Sequence, residues 1–315
     1  MKLQTTLALK PEEYSISYDS KVLLLGSCFS ENIGSKFDYF KFQNLQNPFG
    51  IIFNPISIER LIERAVNSDF FDEGDVFEKD EVWHCLEVHS LVCGKTKAEY
   101  LEELNSKLKR FRSYIESSTH LILTYGTAWV YRYNATGKVV ANCHKIPQKE
   151  FTKALLTTEE ISASLKRILK LIRSVNDEVT VINTLSPVRH LKDGFVENFR
   201  SKAHLMASIQ EVTAENINSF YFPSYEIMMD ELRDYRYYSN DLLHPNELAI
   251  DIIWDRFNSV WIASETLEFQ KEIASIQNGL AHRSFNENTS AHREFQKKLQ
   301  LKIEAVQKRL PHVKF

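Results

Sequence analysis

Short apolar segments alternate with longer amphipathic ones along most of the chain. Four short segments are apolar at nearly every position, which is typical of strands buried in the middle of a parallel sheet. They cover residues 21–25, 121–125, 179–183 and, more weakly, 219–222. The first two are each followed directly by a glycine, Gly26 and Gly126, where the chain is expected to turn.

Between these strands, apolar residues recur at the three- and four-residue spacing of amphipathic helices. Such stripes cover residues 58–66, 100–111, 161–172, 196–212 and 248–261. Thr158 and Glu159 are predicted to start the third helix. Strands that alternate with helices predict an α/β fold, a three-layer α/β/α sandwich around a central parallel sheet.

Two segments interrupt this alternation and are predicted to be hairpin-like insertions. The first lies near residues 81–95 and is aromatic-rich but too irregular for a helix. The second lies near residues 129–150, where two apolar segments flank a loop that contains Gly137. Both insertions belong to a predicted α/β domain of residues 1–263.

Residues 264–315 are predicted to form a helical C-terminal extension. Their composition shifts to charged and long-chain residues, and one apolar stripe has helical spacing: Phe295, Leu299, Ile303, Val306 and Leu310. We expect this stripe to pack on the sheet domain or on a second copy of the chain, which would form a homo-oligomer through these helices. A lid over a functional site is the other interpretation.

Composition and charge narrow the class of protein. Of 315 residues 43% are hydrophobic, which is enough for a large core and excludes global disorder. The 39 Lys and Arg against 42 Asp and Glu give a net charge of −3, which predicts no nucleic-acid partner. No apolar run approaches the roughly 20 residues of a membrane span. With no signal-peptide pattern and four cysteines, the chain is predicted to be cytoplasmic with reduced thiols.

The first candidate site follows the first predicted strand. Open α/β sheets bind ligands beyond the carboxyl ends of their strands, and Ser27 and Cys28 stand at this position. The positive end of the following helix is expected to lower the pKa of Cys28 and make it a nucleophile. Ser27 is the alternative nucleophile. In the purely structural interpretation, Ser27 caps the helix and Cys28 fills space.

The second candidate site precedes the helix predicted over residues 248–261. A carboxylate three residues before a histidine can accept the Nδ1 proton, and Asp241 and His244 have this spacing. The Nε2 atom of His244 would then be free to accept a proton. Pro245 is predicted to take the first position of the helix. The structural alternative is a capping Asp241 and a surface His244.

Together these segments resemble the SGNH (GDSL-type) hydrolases, in which a Gly-Asp-Ser motif after the first strand and a late Asp-x-x-His-Pro motif carry catalysis. Gly26 matches the glycine, Cys28 the nucleophilic serine, and Asp241 and His244 the acid and base. The chain resembles more closely the GSCFA-domain family, a bacterial branch of that superfamily, although Ser30 departs from its opening motif. The resemblance covers roughly residues 20–262 and includes the segments at 47–50, 126–131, 142–145 and 186–190.

The resemblance also implies an oxyanion hole. The superfamily uses the N–H of the nucleophile, here Cys28, a glycine that matches Gly50, and an Asn two residues after the glycine that matches Gly126. The Asn position is Ala128, which has no side-chain donor, and losing one such donor costs about 100- to 1000-fold in rate. Either Thr127, Asn142, His89 or another group substitutes for it, or hydrolysis of acyl esters is slow or absent.

The implied activity is cleavage or transfer of an acyl ester or thioester, on a small-molecule, carbohydrate or acylated substrate and without a cofactor. A cysteine nucleophile makes acyl transfer as natural as hydrolysis. The alternative is a catalytically inactive module that binds a carbohydrate or acylated ligand.

Three further groups of residues could contribute to a site. His84, Cys85, His89 and Cys93 have no standard zinc spacing, so no metal site is predicted. His89 and His144 are expected to line the pocket from the two insertions. Arg189 and His190 would bind an anionic substrate group or form a surface salt bridge.

Overall fold

The computed structural model describes residues 4–282, 286 and 289–315. Its strands, in chain order, are β1 (Lys21–Gly26), β2 (Gln43–Gln46), β3 (Val76–Lys79), β4 (Val82–Cys85), β5 (His120–Tyr125), β6 (Trp129–Tyr133), β7 (Val139–Val140), β8 (Phe151–Leu155), β9 (Thr180–Leu185) and β10 (Ser219–Tyr221). Five of them form one parallel sheet in the order β10-β9-β5-β1-β2.

Helices connect these strands and cover the sheet. They are α1 (Cys28–Tyr39), α2 (Pro55–Asn67), α3 (Lys97–Ser117), α4 (Thr158–Arg173), α5 (Phe195–Glu215), the short α6 (Ser224–Glu226), α7 (Glu247–Trp261), α8 (Leu267–Ala281) and α9 (Ser290–Arg309). The predicted α/β class with a central parallel sheet is therefore confirmed.

Side chains on the central strands alternate between two hydrophobic cores. Leu23 and Leu25 of β1 belong to the core formed with α2, α3, α4 and α5. Val22 and Leu24 belong to the core on the opposite face, formed with α1, α7, α8 and α9. Because successive side chains of a strand point to opposite faces, both faces of the sheet are covered and the molecule has three layers.

The edge strand β2 has no counterpart among the sequence predictions. It pairs in parallel with β1, with Leu23 opposite Leu45, but its sequence is Gln-Asn-Leu-Gln and only Leu45 is buried. A short polar strand at a sheet edge carries no apolar run that could reveal it.

Both predicted insertions contain antiparallel strands, with shifted bounds. In the first, β3 pairs with β4, so the hairpin starts at Val76, and Glu81 lies at its tip instead of its beginning. In the second, β6 pairs with β7 and also with β8, which makes a three-stranded sheet.

Helix α4 begins at Thr158, as predicted, whereas α7 begins two residues after its predicted first position, Pro245. Helix α4 is capped by Thr157, whose side chain and that of Glu160 form a reciprocal capping box. Helix α7 is capped by Asn246, so Pro245 precedes the helix instead of opening it. The side-chain oxygen of Asn246 accepts the N–H of Ala249 at 3.0 Å.

Helices α8 and α9 pack on the sheet domain and complete its second core. Their buried side chains include Ile273, Ile276, Leu299 and Val306. The predicted assembly through these helices stays a prediction. In the part of the chain that the structure describes, no helix is both long and apolar enough to cross a bilayer.

Candidate active site

A cleft of about 540 Å³ opens where β1, β5 and β9 end at the carboxyl edge of the sheet. Its lining residues come from the loops after these strands and after β2, from the loop before α7 and from the two insertions. They are Ser27, Cys28, Ile51, Phe53, His89, Thr127, Trp129, Tyr131, Lys153, Val188, Arg189, His190, Leu191, Lys192, Asp193, Leu243 and His244. Both predicted catalytic segments therefore face one cleft.

The turn after β1 fixes Ser27 and Cys28 at the floor of the cleft. Gly26 has a φ of 136°, and a Cβ atom there would collide with the carbonyl oxygen of Thr124, so only glycine fits. Ser27 is buried and caps α1, because its Oγ accepts the N–H of Phe29 at 3.3 Å. Cys28 is the first residue of the helix and only partly buried.

The pKa of Cys28 differs in direction from the sequence expectation. Burial and the nearby carboxylate of Glu31 raise the pKa of the thiol above its ordinary value. The N–H groups of Cys28 and Phe29 and the charge of Lys202 act in the opposite direction but do not reverse the shift. The helix terminus therefore does not produce a resident thiolate, and Cys28 requires a base to become a nucleophile.

Asp241 and His244 form a hydrogen-bonded pair at the edge of the cleft. The Nδ1 atom of His244 lies 2.6 Å from Oδ2 of Asp241. The N–H groups of His244 and Leu243 donate to Oδ1 at 3.0 and 2.9 Å. These bonds and the imidazole lower the pKa of Asp241 to about 2, so the carboxylate is an acceptor. His244 therefore donates its Nδ1 proton, and Nε2 is left as an acceptor.

Gly50, the glycine implied for the oxyanion hole, and Gly126, from which the position of its Asn is counted, both have other backbone contacts. The N–H of Gly50 donates to the carbonyl of Asn47 at 2.8 Å, and that of Gly126 donates to the carbonyl of Phe53 at 2.7 Å. Neither glycine lines the cleft. Gly50 has a φ of 75°, and a Cβ atom there would lie 2.5 Å from Cβ of His89, so its role is to let His89 approach.

Thr127 and His89 do line the cleft, whereas Asn142 and His144 do not. The side-chain oxygen of Asn142 accepts the N–H of His144 at 2.9 Å. His144 is buried, with Nε2 3.2 Å from the carbonyl of Val88, and burial lowers its pKa to about 4. Asn142 and His144, both expected at the pocket, therefore lie outside the cleft lining, and His144 instead contacts the loop that carries His89 through the carbonyl of Val88.

The hydroxyl of Thr127 belongs to a small network with Ser201 of α5. The two hydroxyl oxygens lie 3.0 Å apart, and either can donate to the other. The N–H of Ala128 donates to Ser201 at 2.7 Å, and the N–H of Trp129 donates to Thr127 at 3.0 Å. When Ser201 donates to Thr127, the Thr127 hydroxyl proton is left for a group in the cleft.

Two residues of the cleft lining, Cys28 and Ile51, have backbone N–H groups without an acceptor in the described part of the chain. The N–H of Cys28 has no acceptor within its own helix, because it is the first residue of α1. The N–H of Ile51 donates to no other residue in the described part of the chain, and Ile51 lines the cleft directly after Gly50. Sequence reasoning missed Ile51, since a backbone donor leaves no signature in residue type.

Lys202 is a buried cation beneath the cleft that the sequence interpretation also missed. Its Nζ donates to the carbonyls of Gly126 at 2.8 Å and Ser186 at 2.7 Å, at the ends of β5 and β9. Burial lowers its pKa to about 7. The available signal was helical spacing, because Lys202 lies three and seven residues before the buried Leu205 and Ile209.

His190 lines the cleft beside this lysine. Its side chain is largely buried, and burial followed by the charge of Lys202 lowers its pKa to about 3, so it is neutral at pH 7. Within the described residues, no group of three or more His, Cys, Asp and Glu is arranged to hold a metal ion.

The chain is an α/β protein with a candidate site at the carboxyl ends of its sheet strands, where a thiol and an Asp–His pair meet at one cleft. The chain belongs to the GSCFA family, whose model matches residues 21–257. The model for the C-terminal domain of GSCFA domain proteins matches residues 262–315.

Solved structures similar to this chain include three esterases. A carbohydrate esterase family 3 structure from Talaromyces cellulolyticus is 10% identical, with a TM-score of 0.36 over 80% of this chain and 99% of that chain. A mutant acetyl esterase with acetate ion is 10% identical, with a TM-score of 0.36 over 81% and 99%. An acetyl xylan esterase from the rumen bacterium Butyrivibrio proteoclasticus is 12% identical, with a TM-score of 0.36 over 81% and 66%. No curated protein matches the chain.

Proposed function

We propose that the chain is an SGNH-like enzyme that cleaves or transfers the acyl group of an ester or thioester, with Cys28 as nucleophile. The observation that carries the proposal is the 2.6 Å bond between His244 and Asp241 at a cleft that Cys28 also lines. A nucleophile, a base and a carboxylate that orients the base are the parts that covalent acyl transfer requires.

The raised pKa of Cys28 supports a role for His244 as the base in this mechanism. Because burial raises the pKa of the thiol, the sulfur must lose its proton as it attacks. Nε2 of His244 accepts that proton, the sulfur bonds to the acyl carbon, and the carbonyl electron pair moves onto the oxygen. When the oxyanion collapses, the bond to the leaving alcohol or thiol breaks, and His244 returns the proton to it.

The acyl-thioester on Cys28 then reacts with water or with an acceptor amine, thiol or alcohol. The incoming group loses its proton to His244, and the sulfur leaves and regains that proton. The same residues therefore support hydrolysis and transfer, and the acceptor decides between them.

Three donors support the developing oxyanion in place of the missing Asn side chain. They are the N–H groups of Cys28 and Ile51 and the hydroxyl of Thr127. His89 is a fourth candidate: its Nδ1 lies 3.4 Å from the N–H of Leu91, which leaves Nε2 as the protonated nitrogen. Ala128 therefore does not leave the cleft without donors.

Ser27 is the less favoured nucleophile. Its hydroxyl oxygen is occupied as the cap of α1, and only 1% of the residue is exposed, whereas Cys28 is partly accessible. A serine hydroxyl that accepts a helix N–H would lose this cap when it attacked a substrate.

The test is turnover of 4-nitrophenyl acetate and of a simple acetyl thioester, with mass spectrometry of acylated intermediates. We expect the variants Cys28→Ala and His244→Ala to lose about 100- to 10,000-fold in kcat/KM, and Asp241→Asn to lose a similar amount because the tautomer of His244 is no longer fixed. The exposed thiol of Cys93 lies outside the cleft, so Cys93→Ala is the matched control and should turn over normally.

Two outcomes would contradict the proposal. If Cys28→Ala retained full activity and Ser27→Ala lost it, Ser27 would be the nucleophile. If the wild-type protein neither turned over any ester nor formed an acyl adduct on Cys28, the alternative of an inactive module that binds carbohydrate or acylated ligands would replace the enzyme.

A further inference from the structure

We infer that the cleft takes an acyl ester or thioester that carries a negatively charged carboxylate or phosphate group, and that Arg189 and Lys192 bind this group. The inference rests on the proposed function for the identity of the scissile bond. Its own support comes from the charges, the contacts and the placement of these two residues.

The first argument is an excess of positive charge inside the cleft. The lining contains three cationic side chains, Lys153, Arg189 and Lys192, and one carboxylate, Asp193. Asp193 forms an ion pair with Lys153. In the part of the chain that the structure describes, Arg189 and Lys192 have no carboxylate partner, although the chain as a whole has a net charge of −3. The predicted surface salt bridge of Arg189 is therefore not formed.

The second argument is that Arg189 is held in place with most of its donors unused. Its guanidinium lies over the ring of Tyr238, 4.2 Å from the ring centroid, and Nη2 donates to the Tyr238 hydroxyl at 2.8 Å. The side chain is only partly buried. A guanidinium has five N–H donors in a planar fork that fits carboxylate and phosphate oxygens. The stacking on Tyr238 reduces the entropy that binding would otherwise cost.

The third argument is the position of this cation relative to the chemistry. The backbone N–H of Arg189 donates to the carbonyl of Leu243 at 3.2 Å, one residue before the proposed base His244. Lys192 is exposed and lines the same cleft three residues further along. An anion held by the two cations would therefore be anchored beside the scissile bond, where its binding energy can orient the acyl group.

The test compares two thiol reagents of nearly equal size, iodoacetate and iodoacetamide, which differ in charge. Both react with the same thiolate by displacing iodide, so the ratio of their rates at Cys28 is independent of the thiol pKa. Cys93, exposed and outside the cleft, gives the reference ratio in the same sample. At low ionic strength we expect the iodoacetate to iodoacetamide ratio to be about three- to tenfold higher at Cys28 than at Cys93.

Variants identify the residues responsible for this preference. Lys192→Gln, at an exposed position, and Arg189→Gln should each lower the iodoacetate to iodoacetamide ratio at Cys28, relative to Cys93, about two- to threefold. Arg110→Gln is the control, because it removes the same charge from an exposed site on α3. Equal ratios at Cys28 and Cys93, no effect of either cleft variant, or a Cys28 that neither reagent reaches would each overturn the inference.

Protection experiments distinguish a phosphate from a carboxylate ligand. Turnover experiments test the anion site separately from the proposed enzymatic activity. Protection of Cys28 from iodoacetamide by inorganic phosphate but not by succinate assigns a phosphate, and the reverse assigns a carboxylate. In turnover, 4-nitrophenyl hemisuccinate should exceed 4-nitrophenyl acetate in kcat/KM, and Lys192→Gln should reduce the ratio of the two values about two- to threefold. Charge-selective labelling without turnover of either ester would support the anion site and contradict the enzyme.

Discussion

At the scale of single residues, burial changes the ionisation of Cys28 and Lys202. Burial raises the pKa of the Cys28 thiol and lowers that of the Lys202 ammonium to about 7. Each shift favours the neutral form. The sequence indicates Cys28 by its position after a strand, but it does not reveal the raised pKa, which arises mainly from burial in the folded chain.

Lys202 predicts a specific dependence of stability on pH. Its pKa is about 7 in the folded protein and about 10.4 in an unfolded chain. Between these values the unfolded chain binds more protons than the folded one, so the contribution of Lys202 to the free energy of unfolding rises with pH. Below about pH 7 the ammonium is charged in both states and the full cost of its burial remains.

We therefore compare urea unfolding of the wild type and of Lys202→Met at pH 7 and pH 9.5. The difference in unfolding free energy, wild type minus variant, should grow by on the order of 2 to 3 kcal/mol. Lys95→Met, at an exposed position, is the control and should show no such trend. Parallel pH curves for the wild type and Lys202→Met would contradict a buried, shifted ammonium.

At the scale of elements, the sequence pattern reveals strands that are apolar on both faces. It does not reveal strands and side chains whose surroundings are polar. The strands β1, β5 and β9 are buried at nearly every position, so their runs are visible. The edge strand β2 buries only Leu45, and its polar sequence hides it. A lysine in an amphipathic helix is ordinarily solvated, so Lys202 on α5 also escapes notice.

Two glycines with positive φ provide a matched test of the segment that positions His89. Gly50 has a φ of 75° and faces His89, whereas Gly137 has a φ of 69° and nothing within 4 Å of an added Cβ. Gly137→Ala should therefore cost only backbone strain, about 1 kcal/mol. Gly50→Ala adds a collision with His89, and we expect a loss of about 2–4 kcal/mol.

The measurements are urea unfolding and turnover of 4-nitrophenyl acetate for both variants. Only Gly50→Ala should reduce turnover, because it displaces a cleft side chain. Equal losses of stability in the two variants would mean that the close approach of His89 and Gly50 contributes nothing.

At the scale of the whole molecule, the C-terminal helices belong to the same hydrophobic core as α1 and α7. Leu299 of α9 is 6% exposed and packs against Gly279 of α8. A Cβ atom added at Gly279 would lie 2.7 Å from Cδ1 of Leu299. Helix α8 contacts the C-terminal end of α1, where the side-chain amide of Gln277 donates to the carbonyl of Tyr39. The cleft lies at the N-terminal end of α1, where Cys28 is the first residue.

Stability and activity should therefore separate in this region. Leu299→Ala is expected to cost about 2–4 kcal/mol in unfolding free energy. Leu301→Ala on the same helix removes a side chain that is 56% exposed and should cost less than about 0.5 kcal/mol. Measured well below the melting temperature, turnover of 4-nitrophenyl acetate should be unchanged in both. A loss of turnover in folded Leu299→Ala would place the extension in the function of the cleft.

The division of the cleft between its floor and its rim has a consequence for how such proteins diversify. The floor, with Cys28 and Thr127, is set by the loops after sheet strands, which the two cores fix in position. The rim, with His89, Trp129 and Lys153, comes from the two insertions. The proposed nucleophile and the contacts from the insertions are thus encoded in separate stretches of sequence, whereas Arg189 and Lys192 follow β9. Exchanging the two insertions between relatives should produce chimaeras that keep the residues of the floor and differ in the substrates that they accept.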